Sequence, residues 1–166
     1  MNDFEKINTD LATLFREGRA LLDAGNSAVM NGCREEAFRK FVDLGGIPNK
    51  QEDYIYLNLL PLFGKDYNVV LKYIRQEVDM NETFRCAVTT PVLTVNGWWF
   101  DGNPAAEIPE EVVICGLQEA SVKYPDLFAK HYNHYAPVAH RDGLVALNTA
   151  FAQDGVFVYV PDDVVL

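Results

Sequence analysis

Leu147-Asn148-Thr149-Ala150-Phe151-Ala152-Gln153-Asp154-Gly155-Val156-Phe157-Val158-Tyr159-Val160 reads as the end of a helix, a stop and a strand. Asp142 stands where an N-cap carboxylate accepts backbone N–H groups, which predicts a helix from Leu144 to Ala152. Gly155 closes it, and the β-branched and aromatic run Val156 to Val160 has strand length. The chain then reads Pro161-Asp162-Asp163-Val164-Val165-Leu166. Natural termini are usually polar and loose, because an apolar strand end leaves backbone donors and acceptors without partners. The expectation is therefore that the chain is still building structure where it stops, and that these 166 residues are the truncated front part of a longer protein.

Working back from that stretch, Val112 to Cys115 is a second strand, followed by a helical segment from Leu117 to Lys123 and another that Pro125 opens and that runs through Ala129. Further upstream, Val92-Leu93-Thr94-Val95 meets Trp98-Trp99-Phe100 across Asn96-Gly97, a dipeptide that accepts the two positive φ angles of a type I′ turn, so a β-hairpin is predicted. On a strand, one of the two tryptophans points inward and the other outward. Val69 to Ile74 is strand or helix turn, and so short a run does not decide. Ile47 to Gly64 has apolar and aromatic residues without a sustained period and is read as ordered loop with a short turn of helix.

At the start, Phe4, Ile7, Leu11, Leu14 and Phe15 recur at helical spacing behind Asn2 and Glu5, a capping-box pair, and the helix is predicted to continue to about Leu22. Gly25-Asn26-Ser27 breaks it; a second helix then places Met30, Ala37, Phe38, Phe41 and Val42 on one side until Leu44-Gly45-Gly46. The fold class is α+β: an N-terminal helical hairpin over the first third, then a small sheet with a β-hairpin and short helices. The domain division is 1–155 for this unit and 156–166 for the start of the next.

Composition bounds the function. A chain of 166 residues suits one domain with a real core, and 49% apolar with 23% charged residues is the balance of a water-soluble globular protein. No apolar run reaches the roughly 18 residues of a membrane span, and Met1-Asn2-Asp3-Phe4-Glu5-Lys6 is not a secretory leader, so the cytoplasm is the expected compartment. The net charge is −10, with 14 acidic and 11 basic residues over 1–100 against 10 and 3 over 101–166. That field repels phosphate backbones, and no Lys/Arg stripe offsets it, which argues against nucleic acid.

Few residues suggest chemistry. Cys33, Cys86 and Cys115 are too far apart for a metal knuckle and read as reduced, mostly buried thiols. His131-x-x-His134 would share a face if it lay on a helix and could hold zinc, but no third ligand is evident; ordinary surface histidines are the plainer reading. An alternative keeps His131, His134 and His140 with nearby carboxylates as a small metal-dependent or acid–base enzyme, and a third possibility is a ligand pocket around Tyr54, Tyr56, Trp98 and Trp99. There is no Gly-x-Ser-x-Gly elbow, and Gly45-Gly46 lacks the Lys-Ser/Thr of a phosphate loop. No catalytic, cofactor-binding or metal residue is assigned.

Three stretches together resemble the SufB/SufD family of iron–sulfur cluster assembly proteins, most of all the N-terminal region of SufD. They are Phe41-Val42-Asp43-Leu44-Gly45-Gly46-Ile47-Pro48-Asn49-Lys50-Gln51-Glu52-Asp53-Tyr54-Ile55-Tyr56, the hairpin tip Val95-Asn96-Gly97-Trp98, and Leu147 to Ala152 with Asp154-Gly155 and Val160-Pro161. Ile55, Leu57 and Asp162-Asp163 depart from that family's usual basic residue, Thr and Lys-Gly; a positive φ at Asp163 would cost about 1 kcal/mol more than at glycine. The resemblance implies a non-enzymatic scaffold subunit that acts by protein–protein interaction. It would pair with a SufB-like protein through a β-helix core begun at 156–166, and recruit a SufC-like ATPase through a later domain. It also implies that cluster-linked residues lie beyond Leu166, so the iron–sulfur cluster is handled by the full complex and no cofactor belongs to this stretch.

Overall fold

The computed structural model describes residues 2–48, 52–65, 69, 71–75, 77–79, 92–102, 109–135 and 142–165. Helix α1, Asp3–Glu17, begins with the expected capping box: Asn2 Oδ1 accepts the Glu5 N–H at 2.9 Å, and Glu5 Oε2 accepts the Asn2 N–H at 2.8 Å. Asp3 and Glu5 in its first turn and Arg16 in its last complement the helix dipole. The helix does not continue to Leu22. It is interrupted at Gly18, and α2, Arg19–Asp23, follows. A Cβ at Gly18 would stand 2.7 Å from Leu14 O as well as 2.3 Å from Leu71 Cδ1, so the close approach to the backbone of α1 requires glycine there.

Helix α3, Ala28–Asp43, starts at Ser27, whose hydroxyl accepts the Met30 N–H at 3.4 Å. It buries Met30, Arg34, Ala37, Phe38 and Phe41. Val42, expected on that side, is 54% exposed, because it lies one helical step, about 100°, beyond Phe41 at the edge of the stripe. The helix ends in a Schellman motif: Gly46 N–H bonds Phe41 O and Gly45 N–H bonds Val42 O, both at 2.9 Å, with φ of 83° and 88°.

After a 3₁₀ turn, Glu52–Tyr54, and the short α4, Leu60–Phe63, comes the hairpin of β1, Thr94–Val95, and β2, Trp98–Trp99. Its tip has φ of 52° at Asn96 and 85° at Gly97, the expected type I′ signs. Trp98 is buried and Trp99 half-buried, as strand alternation requires. Val69 and 71–75 belong to no regular element. Strand β3, Val113–Gly116, runs into α5, Leu117–Lys123, then α6, Pro125–His131; α7, Gly143–Phe151, precedes β4, Val156–Tyr159. Strands β3 and β4 pair antiparallel, with Ile114 opposite Val158 and Cys115 opposite Phe157. The fold is α+β, but among the described residues the expected single small sheet is two separate two-stranded ribbons.

Two cores hold it together. In the first, Phe15 and Phe38 stack at 4.1 Å and Phe151 meets both edge-on at 5.7 and 6.4 Å, over Leu22, Phe41, Ile47 and Ala150. Helices α1 and α3 meet through these rings, yet the closest neighbour of α3 is α7 from the far end of the chain. In the second, Met30, Cys115, Ala120 and Phe128 pack with Phe157 and Tyr132 against the β3–β4 ribbon. No described helix is long and apolar enough to cross a membrane.

Candidate interaction site

The stretch from Phe41 to Tyr56 forms a clasp. The Asn8 side chain donates to Gly45 O at 3.1 Å and accepts the Ile47 N–H at 3.0 Å. A Cβ on Gly46 would stand 2.2 Å from that amide, and one on Gly143 would stand 2.4 Å from Gly46 O, so both glycines allow close backbone approach. The Tyr54 hydroxyl donates to Asp142 Oδ2 at 2.7 Å, while Asp142 Oδ1 accepts the Leu144 N–H at 2.8 Å as the cap of α7. One carboxylate thus starts a helix and anchors the loop.

Burial first, then the hydrogen bond and charge of Asp142, push the Tyr54 phenol up to about 12. A tyrosine raised in the folded state stabilises the fold fully below its ordinary value near 10 and loses that contribution as pH climbs toward 12. Stability is therefore expected to fall between about pH 10 and 12, and Tyr54→Phe to show a smaller fall over that window. Ultraviolet titration alongside denaturant melts checks this. A Tyr54→Phe protein with the same late-titrating phenol and the same pH slope would contradict it.

A second clasp centres on Asp154. Its two carboxylate oxygens accept the Trp99 N–H at 2.9 Å and the Gln118 N–H at 3.0 Å, joining the hairpin to the start of α5. Gly116 leaves room for it: a Cβ there would meet Trp99 Cβ at 3.0 Å and Asp154 Oδ1 at 3.3 Å. Asp154 of the third stretch is therefore tied to the residue that follows the second.

The deepest fastening is Arg34, fully buried. Its guanidinium donates to Leu22 O at 3.0 Å, Ala150 O at 3.1 Å and Asn31 Oδ1 at 3.2 Å, and stands 3.3 Å from the Asp23 carboxylate. Burial lowers its pKa, and the neighbouring Tyr132 and Asp23 oppose that shift. Arg19 extends the network to Asp23 at 2.8 Å and Glu35 at 2.9 Å. Arg34 was not among the residues singled out from sequence, although its place four after Met30 and three before Ala37 put it inside the apolar stripe.

Among the described residues the candidate reactive groups do not gather. Helix α6 ends at His131, and Asn133 takes φ of 57°, so His134 lies in the following turn, edge-on to Tyr135 at 5.2 Å, and the two imidazoles share no helix face. His140 and Cys86 lie outside the described residues. Among the described residues no group of three or more His, Cys, Asp and Glu could hold a metal ion. Cys33 is half-buried and free; Cys115 is buried, with its thiol pushed up to about 11 chiefly by burial, which makes it a poor nucleophile. Tyr54 and Tyr56 line a groove of about 490 Å³ with Phe4 and Pro48, whereas Trp98 lines a different one of about 700 Å³, so the four aromatic residues expected around one pocket are split. What the arrangement offers is a clasped frame with exposed apolar surface.

The SufBD protein N-terminal region matches residues 5–166. The iron–sulfur cluster assembly SufBD family protein ABCI9 of Arabidopsis thaliana is 42% identical over 50 residues, which span 30% of this chain and 10% of that relative. No solved structure matches.

Proposed function

Because the chain belongs to the SufB/SufD family and corresponds to its N-terminal region, we propose that it is the N-terminal domain of a SufD-like subunit that acts in iron–sulfur cluster assembly by protein–protein interaction. The observation that carries this reading is the match over 5–166, joined to the way its three signature stretches become fasteners rather than ligands. Partners are a SufB-like protein and a SufC-like ATPase, in the cytoplasm. The domain contributes no cluster ligand and no catalysis of its own.

Strand β4 supports a junction with a following core. Phe157 packs inward on Phe128, with ring centroids 6.3 Å apart, while Val156, Val158 and Val160 are exposed on the other face. A strand apolar on both faces is the pattern of one covered on both. On this reading β4 stays paired with β3 while a following β-helix core packs against those valines.

Co-expression of the tagged full-length protein with the SufB-like and SufC-like proteins of the same organism tests the reading. Stoichiometric co-elution of all three is expected. A full-length protein that elutes alone and carries one tightly held metal ion per chain would overturn it in favour of the histidine-based enzyme.

A further inference from the structure

Resting on that reading, we infer that the turn Ile55-Tyr56-Leu57 is a docking knob, and that its occupant is a different protein presenting an apolar pocket rimmed by Lys and Arg. Tyr56 is 99% exposed, Ile55 64% and Leu57 58%. Singly exposed apolar residues are ordinary; three in succession ending a structured turn form a patch of the kind that marks interfaces, where tyrosine is favoured. The turn is held in shape. Tyr54 is bonded to Asp142, Leu57 N–H to Tyr54 O at 2.9 Å and Ile55 N–H to Glu52 O at 3.3 Å, and Leu59 is buried just beyond. A knob braced on both sides loses little entropy on docking.

Charge chooses the occupant. Glu52 and Asp53, both exposed, lead directly into the knob, and the net charge of the chain is −10. A second copy docking through this face would oppose carboxylates to carboxylates within a strongly negative field. A basic rim on another protein would complement them and speed association.

The test uses the full-length protein against each purified partner, the SufB-like and the SufC-like protein, with binding followed by biolayer interferometry at low and raised salt. Tyr56→Ala is expected to weaken binding to one of them by about 30-fold or more. Glu52→Lys with Asp53→Lys is expected to slow association, most at low salt. Val122→Ser, at a 74% exposed position on α5, leaves binding unchanged. Because the replaced side chains are exposed, thermal melts should match the wild type. A triple Ile55→Ser, Tyr56→Ala, Leu57→Ser variant that binds both partners as the wild type does would overturn the knob while leaving the proposed function standing. So would a wild-type dimer, seen by sedimentation, that the triple variant abolishes, because a second copy would then be the occupant. Wild-type protein that binds neither partner would overturn the function and the knob together.

Discussion

Replacing Arg34 by alanine is expected to lower unfolding stability by about 3–5 kcal/mol, read from the midpoint of urea denaturation at unchanged slope. The loss is large because the guanidinium is the shared donor for carbonyls at Leu22 and Ala150 and for Asn31, in a place closed to water. Truncation takes this donor from Ala150 O and Asn31 Oδ1, while Leu22 O keeps the Asn26 side chain at 2.8 Å, and Asp23 loses one of its two cationic partners. Asp23 keeps Arg19 and some solvent, so the carbonyls bear most of the cost. Arg34→Lys restores the charge but has no planar fork to reach several acceptors at once, and is expected to recover only part of the loss. A cost below about 1 kcal/mol for Arg34→Ala would mean that the clamp stabilises little.

Gly46→Ala is the second large effect, about 2–5 kcal/mol. A left-handed conformation costs a non-glycine residue roughly 1–2 kcal/mol. The added methyl also displaces the Asn8 amide from Gly45 O and Ile47 N–H, worth about 1–3 kcal/mol more. The two terms separate in a double-mutant cycle. With Asn8→Ala in place the clash is gone, and Gly46→Ala should cost only its backbone share. Effects that simply add, within about 0.5 kcal/mol, would show that the glycine is required by its φ alone.

Much of the local structure was legible. The Asn2–Glu5 box, the Asn96-Gly97 turn, the Asp142 cap and the double-glycine stop each act within a few residues, where the chain's own chemistry decides. Asp163 takes the positive φ of 63° anticipated where the family more commonly has glycine. What went unread acts across the chain. Arg34 bonds a carbonyl 116 residues away, Tyr54 a carboxylate 88 away and Trp99 one 55 away, and no spacing rule foresees such partners. Helix α1 was read too long because apolar spacing passes through Gly18, where close approach to Leu14 O rather than periodicity sets the residue. The histidine pair had the spacing of one helix face on paper, but the chain leaves the helix at Tyr132, whose ψ is 129°, and turns at Asn133. The three stretches that carry the family resemblance were legible as a set; that Asn8, Asp142 and Trp99, all outside them, fasten them was not.

Amide hydrogen exchange of the full-length protein, alone and mixed with the SufB-like and SufC-like proteins proposed to bind it, tests the central claim most directly. The account predicts slow exchange at Ile47, Trp99 and Gln118 in both states, because their N–H groups sit in the two clasps, with new protection on binding confined to the turn from Glu52 to Leu57 and to the valine face of β4. Fast exchange at the clasps without partners, or protection that arises around His131 and His134 and leaves the turn untouched, would contradict it.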